Sequence, residues 1–141
     1  MTLSENIGTR AGLIYLALSF LLIGIWAQFF PQSFYSDFPG LGRAWVRIDG
    51  PFNEHLIRDV GGLNLGLGLA AIFALRFPQT RVIQAVCLVI FVYSLPHYVY
   101  HLAHLLVLPS ALDQVANIVL LGLNVFVPLA LMIAAPRVKP I

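Results

Sequence analysis

The sequence predicts an all-α integral membrane protein: one domain, residues 1–141, in which four spanning helices form a bundle with both termini in the cytoplasm. Composition is the first observation, since 60% of the residues are hydrophobic and only 10% are charged, against about 25% charged in an average soluble domain. Length is the second, because one crossing needs about 20 apolar residues and the chain has room for four. The third is the placement of the cations, because five of the eight lie on one side of the predicted topology.

Four apolar stretches mark the predicted spans. Their approximate limits are 11–30, 55–75, 81–108 and 111–135. Pro31 ends the first, because proline lacks the backbone N–H that a continuing helix needs. Asn53 is a suitable N-cap for the second, and Ser110 with Asp113 three residues later predicts a capping box for the fourth. The first stretch is not interpreted as a signal peptide, because it is long for one and lacks a small-residue cleavage site.

Residues 31–53 form the only long connection, and they are rich in proline, glycine and aromatic residues. Connections of this length are uncommon in a compact chain and are often lids or binding segments. The alternative is an interfacial segment that rests on lipid headgroups. We expect this segment on the side opposite the two termini.

The charged residues predict the orientation. Five of the eight basic residues lie on the side that holds both termini and the turn between the second and third spans, namely Arg10, Arg76, Arg81, Arg137 and Lys139. The other three, Arg43, Arg47 and Arg58, lie on the opposite side. The opposite side receives all four histidines and every acidic residue except Glu5. Because loops rich in lysine and arginine stay in the cytoplasm, we expect a multi-pass protein of the cell membrane whose histidines face the non-cytoplasmic side.

Three of the four histidines lie near the end of the third span. His97, His101 and His104 stand at i, i+4 and i+7, so a helix would place them on one stripe. Ionisable side chains within membrane helices are costly and usually face the bundle interior or a water-filled cavity. This stripe is therefore the first candidate for a functional site.

The second span carries a matching pattern. His55, Asp59, Gly62 and Gly66 share one stripe, and glycines allow membrane helices to approach closely. We therefore expect this stripe to face a neighbouring helix, with His55 and Asp59 at the depth of the histidines on the third span. Glu54 and Arg58, which are also four residues apart, could pair beside it.

Histidine and carboxylate ligands that project from facing helices are typical of metal sites in helix bundles. The predicted ligands of a zinc, iron or copper ion are His55, Asp59, His97, His101 and His104, a donor set that suits these metals. Six further residues would orient the ligands: Glu54, Arg58, Tyr93, Tyr100, Asp113 and Asn117. Haem ranks below a bare ion, because four helices with a glycine seam leave little room for it.

Two other functions fit the same residues. In a metal-free enzyme, His55 and Asp59 would exchange a proton with an apolar substrate from the bilayer, in an isomerisation or a cyclisation. In an accessory subunit, the glycine seam would bind a second copy or a larger membrane complex. Nucleic acid is not an expected partner, because the net charge is only +2 and no run of lysines and arginines occurs.

The segment Arg58–Leu69, with the sequence RDVGGLNLGLGL, is followed by the turn Arg76-Phe77-Pro78. In these features the chain resembles small bacterial four-helix membrane proteins of the DoxX-like and related uncharacterised kind. The resemblance covers the second to fourth spans. It implies a four-helix bundle and does not extend to the histidines.

Overall fold

The computed structural model describes residues 7–134. Four helices are long and apolar enough to cross a membrane. They are α1 (Ile7–Phe29), α3 (Glu54–Arg76), α4 (Thr80–Ala103) and α5 (Ala111–Ala134), with a short α2 (Pro31–Asp37) after the first. The predicted all-α bundle of four long apolar helices is confirmed, and the chain is a multi-pass membrane protein.

The segment between α2 and α3 is folded. It contains a two-stranded antiparallel hairpin, β1 (Pro39–Gly40) and β2 (Arg43–Ala44), and then a 3-10 helix at Val46–Asp49. We call residues 31–53 the lid. The end of the bundle that it covers is the lid end, and the opposite end, where the turn at residues 77–79 lies, is the turn end.

Two helix limits differ from the sequence-based expectation. The first helix already begins at Ile7, and α4 ends at Ala103 instead of near residue 108. After Ala103 the backbone N–H of His104 donates to the Tyr100 carbonyl (3.1 Å), and a 3-10 turn at Leu105–Val107 follows. His104 therefore lies at the C-cap of α4 and not within the helix.

The turn end carries three of the predicted cytoplasmic cations, Arg10, Arg76 and Arg81, at or near the ends of α1, α3 and α4. The other two, Arg137 and Lys139, lie outside the described residues, as does Glu5. Which side of the membrane the turn end faces stays a prediction of the positive-inside rule.

Helices α1 and α3 touch through their backbones. A Cβ atom on Gly61 would lie 2.5 Å from the backbone nitrogen of Gln28, and one on Gly24 would lie 2.6 Å from that of Leu65. No side chain fits at either distance, so only glycine allows this approach. Close contact of small residues is a main source of helix association in lipid, where the hydrophobic effect between helices is absent.

Helix α4 packs mainly on α5, and buried asparagines join this second pair to the first. The amide nitrogen of Asn64 on α3 donates to the hydroxyl of Tyr93 on α4 (3.1 Å). On the other side, the amide oxygen of Asn124 on α5 accepts from the hydroxyls of Tyr15 (3.0 Å) and Ser19 (3.2 Å) on α1. Hydrogen bonds of this kind hold membrane helices in register.

The turn-end half of the interior is apolar. Leu16, Phe20, Ala71 and Ile83 are almost completely buried there, and Cys87 packs among them as a free thiol. The opposite helix faces expose leucine, isoleucine, valine and phenylalanine side chains, as expected of surfaces in contact with lipid.

The glycine contact gives the first prediction. Gly61→Ala places a methyl group against the backbone of α1, whereas Gly66→Ala on the same helix meets open space. Overpacking typically costs about 1–3 kcal/mol, so we expect Gly61→Ala to lower the unfolding temperature in detergent by several degrees and Gly66→Ala to leave it unchanged. Since Cys87 is the only cysteine and is buried, a thiol-reactive dye reports the transition. Equal unfolding temperatures of the two variants would contradict the packing described here.

Candidate functional site

The lid is seated on the bundle by aromatic packing. Phe34 of α2 is 5% exposed and lies in an apolar cluster with Ala27 of α1 and Ile57 of α3. Its ring also contacts those of Trp26 and Phe38, with centroids 6.1 and 4.8 Å away. The segment therefore covers the bundle end as an ordered element.

A buried carboxylate anchors the lid to α5. Asp113 is 4% exposed, and its Oδ1 accepts from Arg43 Nε (2.5 Å) and from Trp45 Nε1 (2.9 Å). Ser110 Oγ donates to the other carboxylate oxygen and accepts from the Asp113 backbone N–H, so the predicted serine cap is present. The sequence-based expectation that Asp113 orients an imidazole differs from what is observed, because its carboxylate binds the lid.

Two histidines extend the buried stripe of α4. The buried residues of this helix, Ile83, Cys87, Ile90 and Ser94, follow one helical stripe. His97 and His101 continue the same stripe toward the lid end. His97 is exposed and His101 partly so, which means that the interior face of α4 is accessible to small molecules near the lid.

Aromatic rings hold His97 and His101 in place. The His97 ring is stacked on Tyr93, with centroids 6.1 Å apart and planes 10° apart, and the His101 ring lies 4.6 Å from that of His97. Tyr93 is itself fixed by its hydrogen bond from Asn64. Within residues 7–134, neither imidazole makes a hydrogen bond. Both rings are thus oriented while their nitrogen atoms stay available.

Ser94 lies one turn before His97 on the same stripe. It is 4% exposed, and its hydroxyl has no hydrogen-bond partner in the described part of the chain. A buried polar group without a partner costs about 1–3 kcal/mol, so its presence calls for an explanation. A ligand group at this point of the interior would supply one.

The carboxylate that acts on His101 comes from the lid. Asp49, in the 3-10 helix, interacts electrostatically with His101 and also lines a small cleft with Tyr35 and Ile57. Sequence reasoning missed Asp49, because no spacing rule connects residue 49 with residue 101. Its position after an aromatic-rich segment was the only signal.

His55 and Asp59 lie on the exposed surface of α3, apart from the histidines of α4. Their side chains are 88% and 62% exposed and pair with each other at 3.3 Å. The expectation that their stripe faces a neighbouring helix is wrong, because Gly66 on that stripe has open space beside it. The packed face of α3 is the nearly opposite stripe, two residues further along the chain, which contains Ile57, Gly61, Asn64 and Gly68.

The predicted ligands are therefore divided among three places. In residues 7–134, no group of three or more histidine, cysteine, aspartate or glutamate side chains is placed to hold a metal ion. His104 lies apart from the stripe: its ring stacks on Tyr100 at 4.2 Å, and its Nδ1 is 2.8 Å from the Tyr100 carbonyl oxygen.

Three other residues that were predicted to orient the ligands make no side-chain hydrogen bond to a predicted ligand within residues 7–134: Glu54, Arg58 and Asn117. Glu54 and Arg58 form the expected pair (2.8 Å), and Arg58 also donates to the carbonyl of Gln28 on α1. Asn117 is 3% exposed, on the buried stripe of α5 that also contains Asp113 and Asn124. No hydrogen bond of its side chain occurs among the described residues.

The model of the DUF4345 family, a domain of unknown function, matches residues 8–134. This range contains all four long helices and the lid. The chain belongs to the DUF4345 family. The resemblance noted in the sequence is thereby supported in its broader part, a small membrane protein with four apolar helices, while the likeness to DoxX-like proteins stays a prediction. No curated protein and no solved structure matches this DUF4345 chain, so its function is argued from the residues described above.

The lid anchor gives the second prediction. Asp113→Ala leaves Arg43 and Trp45 without their acceptor, and removal of one partner from a buried ion pair typically costs about 3–5 kcal/mol. The lid should then open more often, and since each 1.4 kcal/mol is a factor of ten, we expect trypsin to cleave after Arg43 or Arg47 at least about tenfold faster. Intact-mass spectrometry of the detergent-solubilised protein measures the cleavage.

The matched control is Asp59→Ala, which removes an exposed carboxylate at the same end of the bundle. It should leave cleavage of the lid at the wild-type rate. Equal rates in Asp113→Ala and the wild type would show that aromatic packing alone holds the lid.

Proposed function

We propose that the lid end of the bundle binds an apolar molecule with one polar group, and that His97 and His101 exchange a proton with that group. The observation that carries this proposal is the continuation of the buried stripe of α4 into Ser94, His97 and His101, three polar groups without hydrogen-bond partners in residues 7–134.

The surroundings support a ligand of mixed character. Ile90 and Cys87, which precede Ser94 on the same stripe, are completely buried in the apolar core, so this side of the site is an apolar wall. Small-molecule sites commonly combine apolar walls with a few polar groups that fix orientation. The polar end of such a ligand would lie at Ser94, His97 and His101.

The imidazoles suit proton transfer. Histidine is the side chain whose ordinary pKa lies closest to neutrality, so it can accept and return a proton. Tyr93 orients the His97 ring by stacking, and Asp49 interacts with His101. An isomerisation fits this arrangement and needs no oxidant or reductant, because the proton removed from one carbon is returned to another.

Binding gives the third prediction. We expect one class of apolar molecule to co-purify with the wild-type protein in near-stoichiometric amount, as measured by solvent extraction and mass spectrometry. Ser94→Leu places a larger side chain beside the imidazoles and should reduce this amount about tenfold or more, by steric exclusion. Val92→Leu, on the exposed face of the same helix, should retain the molecule. An extract that matches the bulk membrane lipids in composition would contradict the proposal.

Proton transfer gives the fourth prediction. In D₂O the wild-type protein should introduce deuterium at a carbon of the bound molecule. His97→Gln should still bind the molecule, but its rate of deuterium incorporation should be at least about a hundredfold lower, because an acid–base group usually contributes about that factor. Val99→Leu, which faces outward on α4, is the control. Exchange at the wild-type rate in His97→Gln would remove that imidazole from the proposed chemistry.

A second candidate is a transition-metal ion, zinc, iron or copper, bound by His97 and His101. The observation in its favour is the 4.6 Å separation of two imidazole rings on successive turns of one helix. The described residues place no third ligand beside them, so the other positions would be filled by water, by a bound molecule or by a second copy of the chain. Haem remains the less favoured cofactor.

Cobalt(II) titration separates the two candidates. A bound ion would give visible absorption bands that are lost in His97→Gln and His101→Gln. Retention of the bands in His55→Gln would favour the pair on α4, whereas their loss would favour the wider ligand set expected from the sequence. Absence of the bands in the wild type would leave the metal-free proposal.

A further inference from the structure

We propose that a cleft between the lid hairpin and the start of α5 binds a phosphate-bearing anion, and that in the membrane this anion is the headgroup of a phospholipid. The cleft has a volume of about 610 Å³ and is lined by residues 41–45, 47 and 48 of the lid and by Pro109, Ser110 and Asp113. A volume in this range is typical of small-molecule sites. Neither His97 nor His101 lines it, so this proposal is independent of the one above.

Two arginines give the cleft its charge. Arg43 uses its Nε atom to bind Asp113, which leaves the terminal Nη groups, and its side chain is 29% exposed. Arg47 is exposed, and in residues 7–134 it forms neither an ion pair nor a hydrogen bond. Asp113 is the single carboxylate in the lining and already accepts from Arg43, Trp45 and Ser110. One positive charge is therefore in excess.

The 3-10 helix separates the charges of the lid. It presents Arg47 to this cleft and Asp49 to the smaller one beside Tyr35. An anion near Arg47 thus meets no second carboxylate in the lining. Arginine suits phosphate particularly well, because its planar guanidinium can donate two parallel hydrogen bonds to the phosphate oxygens.

Apolar residues point to a lipid and not to free phosphate. Leu41, at the hairpin tip, is 93% exposed and has a backbone φ of +57°. Leucine rarely adopts this conformation, which glycine or asparagine would adopt more easily. Ile48, also in the lining, is 39% exposed. An exposed leucine and isoleucine beside two arginines match the acyl chains and the headgroup of a phospholipid at the membrane interface.

Native mass spectrometry of the detergent-solubilised full chain tests the proposal with two lipids. Dioleoylphosphatidylglycerol carries a phosphate, and dioleoylglycerol carries the same chains without it. Since one arginine near the membrane surface changes affinity for an anionic lipid by about fivefold, we expect Arg47→Gln to weaken binding of phosphatidylglycerol by about that factor. Arg47→Lys should restore much of it, and binding of dioleoylglycerol should not change.

Arg81→Gln is the matched control, because it removes an exposed arginine at the turn end. Its affinity for phosphatidylglycerol should stay within about twofold of the wild type, well below the contribution of one arginine. Equal weakening in Arg47→Gln and Arg81→Gln would overturn the site, since the effect would then follow net charge alone. Thiol-dye unfolding at Cys87 checks that both variants are folded.

Soluble anions distinguish the two sources of phosphate. Inorganic phosphate and glycerol 1-phosphate, at millimolar concentration, should not displace phosphatidylglycerol. Leu41→Asn, which keeps the backbone conformation, should weaken binding of the lipid. Displacement by the soluble anions, or unchanged lipid binding in Leu41→Asn, would overturn the assignment to a phospholipid.

Discussion

The carboxylate of Asp113 is the interaction on which the lid end depends. Removal of a carboxylate from water costs several kcal/mol unless charged or polar donors replace the water. Here Arg43, Trp45 and Ser110 supply three donors, two from the lid and one from the residue that caps α5. The same contact therefore holds the lid on the end of the bundle and places Arg43 in the lining of the outer cleft. The outer cleft requires it, because Arg43 and Asp113 both line that cleft.

The bundle beneath the lid consists of two close pairs joined by polar bridges. In α1 and α3 the backbones themselves are in contact at Gly24 and Gly61, which leaves no room for adjustment. The links from this pair to α4 and α5 run through Asn64 and Asn124. Because Asn64 binds Tyr93, and Tyr93 stacks on His97, the bridge between the pairs also sets the orientation of one imidazole.

The sequence was sufficient for the spans, since length and hydropathy decide them, and for short-range contacts such as the Asn53 cap and the Glu54–Arg58 pair. It was insufficient where two nearly opposite stripes of one helix could each have faced the interior. Gly61 and Gly62 are both glycine, and only the contact with α1 decides which stripe packs; that choice turned His55 outward. Asp49 could not be assigned to His101 either, because the fold of the lid, and no local pattern, brings them together.

In residues 7–134, most buried polar side chains of the bundle are hydrogen-bonded, whereas the hydroxyl of Ser94 is not. Asn64, Asn124 and Asp113 are buried, and each has its partners, which is the normal condition of polar groups in membrane helices. Ser94 is equally buried but lacks a partner among the described residues. It lies on the same stripe as two oriented imidazoles whose nitrogens are also available. Polar groups that only stabilise the bundle are normally paired, as Asn64 and Asn124 are, whereas Asn117 is a single buried amide on α5 without a partner among the described residues. Three unpaired polar groups on one stripe of α4 therefore favour a site for a ligand.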